Sequence, residues 1–186
     1  MKELSLHLLD IAENSVAAGA TELELSIAEE AGRLTMTVSD NGRGMSPELL
    51  AQVQDPFTTT RTTRKVGLGL PLLRLSAEQT GGSLSVTGKP GEGTVTTALF
   101  HTDHIDCPPL GDVAGALSVF LQGAPPTMET RFVHRVGEDS FLLDTRELRA
   151  VLGDIPLSEP QVVLWLMEHI KEQEALLSSK QRSAFP

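Results

Sequence analysis

This sequence is short of cysteine, short of basic residues relative to acids, and without long apolar runs, and each shortage excludes something. One cysteine, Cys107, stands among 186 residues. It cannot close an internal disulfide, so the fold need not rely on an oxidising compartment. Lys and Arg number 15 against 25 Asp and Glu, a formal charge of −10, and the pI is near 4.9. So acidic a chain disfavours broad binding to nucleic-acid phosphates or anionic lipids. No stretch approaches the ~20 apolar residues of a membrane span, and Met1-Lys2-Glu3-Leu4 lacks the apolar core of a signal peptide. The expectation is a soluble, cytoplasmic protein with no nucleic-acid or membrane partner. What is present suffices for a core: 40% of residues are hydrophobic and 22% charged. The length allows one domain, alone or with a small appendage.

The first hundred residues alternate between helical and strand periodicity. Leu4, Leu8, Ile11 and Ala12 recur at helical spacing and predict a helix over 3–18, with Gly19 as its C-cap. Leu23, Leu25 and Ile27 alternate with polar residues, as do Leu34, Met36 and Val38, so two strands flank the turn Ala31-Gly32-Arg33. Ser46-Pro47-Glu48 opens another helix. Residues 56–65 are rich in Thr and Arg without apolar period, which predicts a loop. A helix over 70–79 stops at Gly81-Gly82, and two strands, 84–86 and 95–99, follow around a Gly/Pro turn. One sheet face packed by helices, the other polar, predicts an α+β fold: helices layered on one side of a mixed, mainly antiparallel sheet. Composition shifts near residue 102. Residues 102–109 read as a linker, and 110–186 as a small αβ appendage with a helix at 110–122, a hairpin at 132–141, and helices at 145–152 and 158–177.

Four segments carry candidate chemistry. His7, Asp10 and Asn14 fall at i, i+3 and i+7 on one helical face. An Asn carbonyl oxygen suits Mg²⁺, a hard ion that keeps waters and phosphates as its other ligands, and an Asp one turn earlier could orient or deprotonate a nucleophile. Asp40-Asn41-Gly42-Arg43-Gly44-Met45 follows a strand; its carboxylate can accept a bond from an exocyclic amine, although alone it also reads as an Asp-rich turn. Gly67-Leu68-Gly69-Leu70 opens a helix, where exposed amides can hold phosphate oxygens. Gly91-Glu92-Gly93-Thr94 precedes a strand, and the Thr94 hydroxyl could bridge to a purine.

The order and strand–helix context of these segments strongly resemble the GHKL superfamily, which includes DNA gyrase B subunits, heat-shock chaperones, histidine kinases and MutL-type mismatch-repair ATPases. The segment DIAENSVAAGAT, Asp10 to Thr21, is especially similar to the MutL type, and the resemblance covers roughly residues 1–101. It implies a Bergerat-type ATP site with ATP and Mg²⁺ as ligands. Asn14 would coordinate Mg²⁺, and Asp40 would bond the adenine amino group. Gly42 and Gly44 would shape the adenine pocket beside Met45, with Thr94 contacting adenine. Gly67 and Gly69, flanking Leu68 and preceding Leu70, would hinge an ATP lid over 43–66 and contact phosphates. Phe57 would stand at the kinase F-box position, and Arg61, Arg64 and Lys65 would supply cations to the phosphates, unless they are simply a solvated loop. Hydrolytic members carry Glu four residues before the Asn; here Asp10 is one methylene shorter, which sets fast hydrolysis in question.

Three functions follow from the resemblance: phosphotransfer to a partner protein, slow ATP hydrolysis driving dimerisation or a conformational change, and non-enzymatic, nucleotide-dependent scaffolding. A protein partner would engage the lid or residues 103–186, and a homodimer is open. His7 is either a phospho-acceptor or a structural side chain, and the chain lacks the helix pair that presents a kinase's acceptor. Leu164, Trp165 and Met167 read as an apolar docking face. Cys107 reads as inert.

Overall fold

The computed structural model describes residues 3–54 and 69–183. The elements run α1 (Leu4–Ala17), β1 (Glu22–Glu30), β2 (Arg33–Asp40), α2 (Pro47–Gln54), α3 (Gly69–Gln79), β3 (Ser83–Lys89), β4 (Gly93–His101), α4 (Val113–Gly123), β5 (Glu129–Val136), β6 (Asp139–Asp144), α5 (Thr145–Leu152) and α6 (Pro160–Ser183). The fold is α+β, with the strands forming one sheet in the order β3-β4-β2-β1-β5-β6. Four pairings are antiparallel and one, β1 with β5, is parallel.

Period-two patterning decides which face is covered. Leu23, Leu25 and Ile27 of β1 and Leu34, Met36 and Val38 of β2 are buried, whereas Glu22 and Glu24 between them are exposed. Phe100 of β4 and Phe132 of β5 lie on the same covered face and are fully buried. Helix α1 seats Leu4, Leu8, Ile11 and Ala12 on this core. It ends where Gly19 adopts φ +74 and donates its N–H to the Val16 carbonyl. Ser46 caps α2 by accepting the Leu49 N–H at 3.3 Å, as its sequence position predicts.

The remainder of the chain, from residue 102 on, joins the same sheet. Residues 102–112 return across the start of α1, whose Leu4 and Ser5 amides donate to the Pro109 and Leu110 carbonyls at 3.0 and 2.8 Å. Strand β5 then pairs in register with β1, from Glu22 opposite Glu129 to Glu29 opposite Val136, and β6 forms the edge. Helix α4 packs on α1, and α6 on α4, β5 and β6. Leu166 and Ile170 of α6 are buried in the common core, and Met167 packs partly against it. Leu164 and Trp165 face solvent, Trp165 stacked on His169 with ring centroids 5.1 Å apart.

A buried polar cluster fixes α6 to the sheet. His134 on β5 holds Glu174 of α6 through Nδ1 at 2.8 Å and Glu29 of β1 through Nε2 at 3.0 Å. Burial alone would lower the imidazole pKa, but the two carboxylates outweigh it and hold it at about 9. At neutral pH, therefore, a protonated histidine lies between two acids. Among the described residues, no helix is long and apolar enough to cross a membrane.

Candidate functional site

A cavity opens where α1, the end of β2, the loop after it, and the starts of α2, α3 and β4 converge. Ile11, Leu49, Leu70 and Met45 form its apolar walls, and Asn14, Ser15, Asp40, Arg43, Thr94 and Thr96 supply its polar groups. Asp40 is the last residue of β2 and pairs with Thr94 across the β2–β4 ladder. Its Oδ2 accepts the Ser15 hydroxyl at 2.8 Å and its Oδ1 the Gly42 N–H at 2.8 Å. Tied from two elements, the carboxylate cannot swing freely, so its remaining lone pairs have a fixed direction. Thr94 is buried beside it at 7% exposure, and Asn14, one helical turn beyond Ile11, is exposed.

The loop after β2 depends on glycine for space and for backbone conformation. A Cβ at Gly42 would come within 2.9 Å of the Ala18 side chain. Gly44 has φ +68, and a Cβ there would overlap the Lys89 carbonyl oxygen. Between them, Arg43 donates its N–H to the Ala18 carbonyl at 3.0 Å and accepts the Gly91 N–H at 2.8 Å. Arg43 and Gly44, expected at the start of a lid, are thus fastened to both α1 and the β3–β4 turn.

The polar face of α1 divides. Asn14 lines the cavity, but His7 and Asp10 turn toward α3. His7 is fully buried, with Nε2 3.2 Å from the Ser76 hydroxyl, and burial pulls its pKa down to about 4. A neutral, inaccessible imidazole is structural, and the phospho-acceptor alternative has no support in its position. Asp10 is not among the cavity-lining residues. Its Oδ2 is buried without a hydrogen-bond partner among the described residues and lies against Gly69, where a Cβ would overlap it.

Of the residues singled out from sequence, the cavity gathers Asn14, Asp40, Gly44, Met45, Leu70 and Thr94, with Gly42 fixing the Asp40 carboxylate from behind. Phe57, Arg61, Arg64, Lys65, Gly67 and Leu68 lie outside the described residues. Sequence reasoning missed Ile11, Ser15, Leu49 and Thr96, and gave Arg43 no role beyond the start of the lid. Helical spacing already put Ile11 and Ser15 one turn apart beside Asn14, and Thr96 sits two residues past Thr94 on the same strand face.

The donor set suits a magnesium nucleotide. A fixed carboxylate among apolar walls can accept from an amino-substituted base, while the exposed Asn14 oxygen offers one hard donor. Among the described residues, no group of three or more His, Cys, Asp or Glu side chains could hold a metal alone. Mg²⁺ would therefore take most of its ligands from phosphate and water, as is usual for that ion. A second hollow, on the open sheet face, has charges that are paired and exposed, Arg146 with Glu22 at 2.6 Å and Arg131 with Glu24 at 3.4 Å, and lacks such walls.

Known proteins match about half of the chain. The sensor protein kinase FleS of Pseudomonas aeruginosa is 39% identical over 95 residues, covering 50% of this chain and 23% of that protein. The sensor histidine kinase ZraS of Salmonella typhimurium is 34% identical over 93 residues, 48% of this chain and 20% of that protein. The sensor histidine kinase YkoH of Bacillus subtilis is 32% identical over 105 residues, 54% and 22% respectively. The chain thus spans about a fifth of the length of these relatives. Among solved structures, the histidine kinase domain of the Erythrobacter litoralis EL346 blue-light activated histidine kinase is 24% identical, covers 45% of this chain and 34% of that one, and has a TM-score of 0.33. Residues 2–104, more than half the chain, match the family of histidine kinase-, DNA gyrase B- and HSP90-like ATPases, and the protein belongs to that family.

Proposed function

We propose that the cavity binds ATP with Mg²⁺ and that the protein is a cytoplasmic kinase that hands the terminal phosphoryl group to a partner protein. The observation that carries this reading is the Asp40 carboxylate, held by Ser15 and Gly42 opposite Thr94 inside a cavity with apolar walls and Asn14 at its edge. In this reading Asp40 accepts the adenine amino group, and Thr94 completes the polar edge of the base site. Met45, Leu70 and Ile11 cover the base, with Gly42 and Gly44 keeping the loop close. Asn14 supplies a metal ligand. Gly67, Leu68 and Gly69 would serve the phosphates with Phe57, Arg61, Arg64 and Lys65 of the lid. Bound ATP supplies the phosphoryl group; the chain's own residues bind and orient it. The choice of phosphotransfer rests on the relatives, which are sensor kinases by name. Residues 103–186 or the lid would meet the partner, and a second copy of the chain is one candidate.

Calorimetry with Mg·ATP against Mg·GTP tests the binding step: saturable binding of the first alone is expected, and no heat with either would remove the reading. Asn14→Ala should weaken Mg·ATP far more than ATP with EDTA. Incubation with γ-labelled ATP and candidate response proteins then tests transfer. Label on a partner is expected, whereas free phosphate without labelled protein would favour hydrolysis.

A further inference from the structure

The resemblance offers Asp10 as a general base, but its surroundings point elsewhere. Asp10 sits one turn after His7 on α1, and the two contact α3 at Gly69 and Ser76 respectively. Along α1 the contacts advance from residue 7 to 10; along α3 they run back from 76 to 69. The helices therefore cross in opposite directions, touching through one hydrogen bond, His7 to Ser76, and one close packing contact, Asp10 on Gly69. Leu73, 1% exposed, lies on α3 between the two contact positions.

At the Gly69 end the fit is closest. The Asp10 carboxylate occupies the space that a Cβ on Gly69 would need. Backbone conformation does not demand glycine there, because Gly69 is the first residue of α3 and its φ is not in the left-handed region. Alanine would be the better helix former at such a position. What requires glycine is the carboxylate opposite. The chain neighbours of this pair, Ile11 and Leu70, are both cavity walls. On each helix, then, the contact is one residue away from the wall.

We infer that Asp10 is a positioning residue: packed on Gly69, its side chain sets how closely α3 approaches α1 and so fixes the Ile11–Leu70 wall of the cavity. Volume rather than charge is what this role needs, which separates it from a base. The effect on nucleotide affinity rests on the ATP reading above, while the contact itself can be tested without nucleotide.

The experiment is a double-mutant cycle on the full chain, read by thermal unfolding and by ATP calorimetry. Gly69→Ala should lower the melting temperature by several degrees and weaken ATP by about tenfold or more. Adding Asp10→Ala to Gly69→Ala should restore most of the melting temperature, because it vacates the contested space. Asp10→Asn should keep ATP affinity within about threefold of the parent, while Asp10→Ala alone weakens it by about tenfold. Should Gly69→Ala fail to fold, recovery of a cooperative transition in the double variant still supports the contact. A double variant as unstable as Gly69→Ala, or less stable, overturns the inference. So does an Asp10→Asn protein that binds ATP as poorly as Asp10→Ala. If the parent protein binds no ATP, the functional reading falls, yet the melting-temperature cycle still decides the contact.

Discussion

Gly44 faces two separate demands, a left-handed backbone and a carbonyl oxygen where a side chain would begin. The first alone costs an L-residue about 1–2 kcal/mol. Gly44→Ala should therefore lower unfolding stability by about 2 kcal/mol or more, read as a shifted urea midpoint at unchanged slope. Asp40→Asn is a milder change to the fold and a harsher one to the proposed ligand. The amide can still accept the Gly42 N–H, but one of its ends becomes a donor facing the base site. ATP affinity should fall by about tenfold to a hundredfold, with the melting temperature shifted by only a few degrees. If the Asp40→Asn variant binds ATP normally, the base sits elsewhere. At this scale the sequence was informative wherever a residue type is chemically unusual for its place, as with Asn14, Asp40, Gly44 and Thr94. It was silent on Ser15 and Leu49, ordinary residues that matter only because folding aims them into the cavity. It also grouped His7 and Asp10 with Asn14, since a helical face can be read from spacing but its division between two neighbours cannot.

Elements were legible through local rules. The hairpin turn at Ala31 and Gly32, with φ +47 and +76, matches the positive-φ pair that two-residue hairpins favour. Caps at Ser46 and Gly19 stand where the sequence put them. The joining of distant elements was not legible, and the His134 cluster is the clearest case, its partners lying 40 and 105 positions away. It gives a pH prediction with a definite sign. In the folded protein the imidazole titrates near 9 rather than at the ordinary 6.5, so folding takes up a proton between those values. The stabilisation is complete below about pH 6.5 and is lost as pH rises through about 9. Unfolding midpoints measured from pH 6 to 10 should fall across that window, and His134→Gln should flatten the fall. His134→Ala, which leaves two part-buried acids facing each other, should cost about 3–5 kcal/mol. If the midpoint is independent of pH in the parent, the cluster does not hold α6.

For the whole molecule, hydrophobic periodicity set the fold class and the motifs set the family, but the share of the fold made by residues 102–186 was hidden. Its strands have the same alternation that an independent hairpin would show, and nothing local reveals a parallel partner. Met128, Phe132, Leu166 and Ile170 all belong to the core that α1 and β1 share. A chain ended after residue 104 would uncover the edge of β1 and the apolar faces of α1. It should show no cooperative melting transition by near-ultraviolet circular dichroism. A fragment that melts as sharply as the full chain would mean that residues 105–186 merely lean on a finished fold. The acidity also follows this division, with −4 over residues 1–101 from 8 basic against 12 acidic residues, and −6 over 102–186 from 7 against 13. The parallel pairing of residues 22–29 with 129–136 also has a consequence in time. During synthesis, at ~5–20 residues per second, β1 leaves the ribosome roughly 5–20 s before the strand that will flank it exists. Over that interval its unpaired edge is open to other nascent chains, so production yield should respond to translation rate and to chaperone supply more steeply than the stability of the finished protein would suggest.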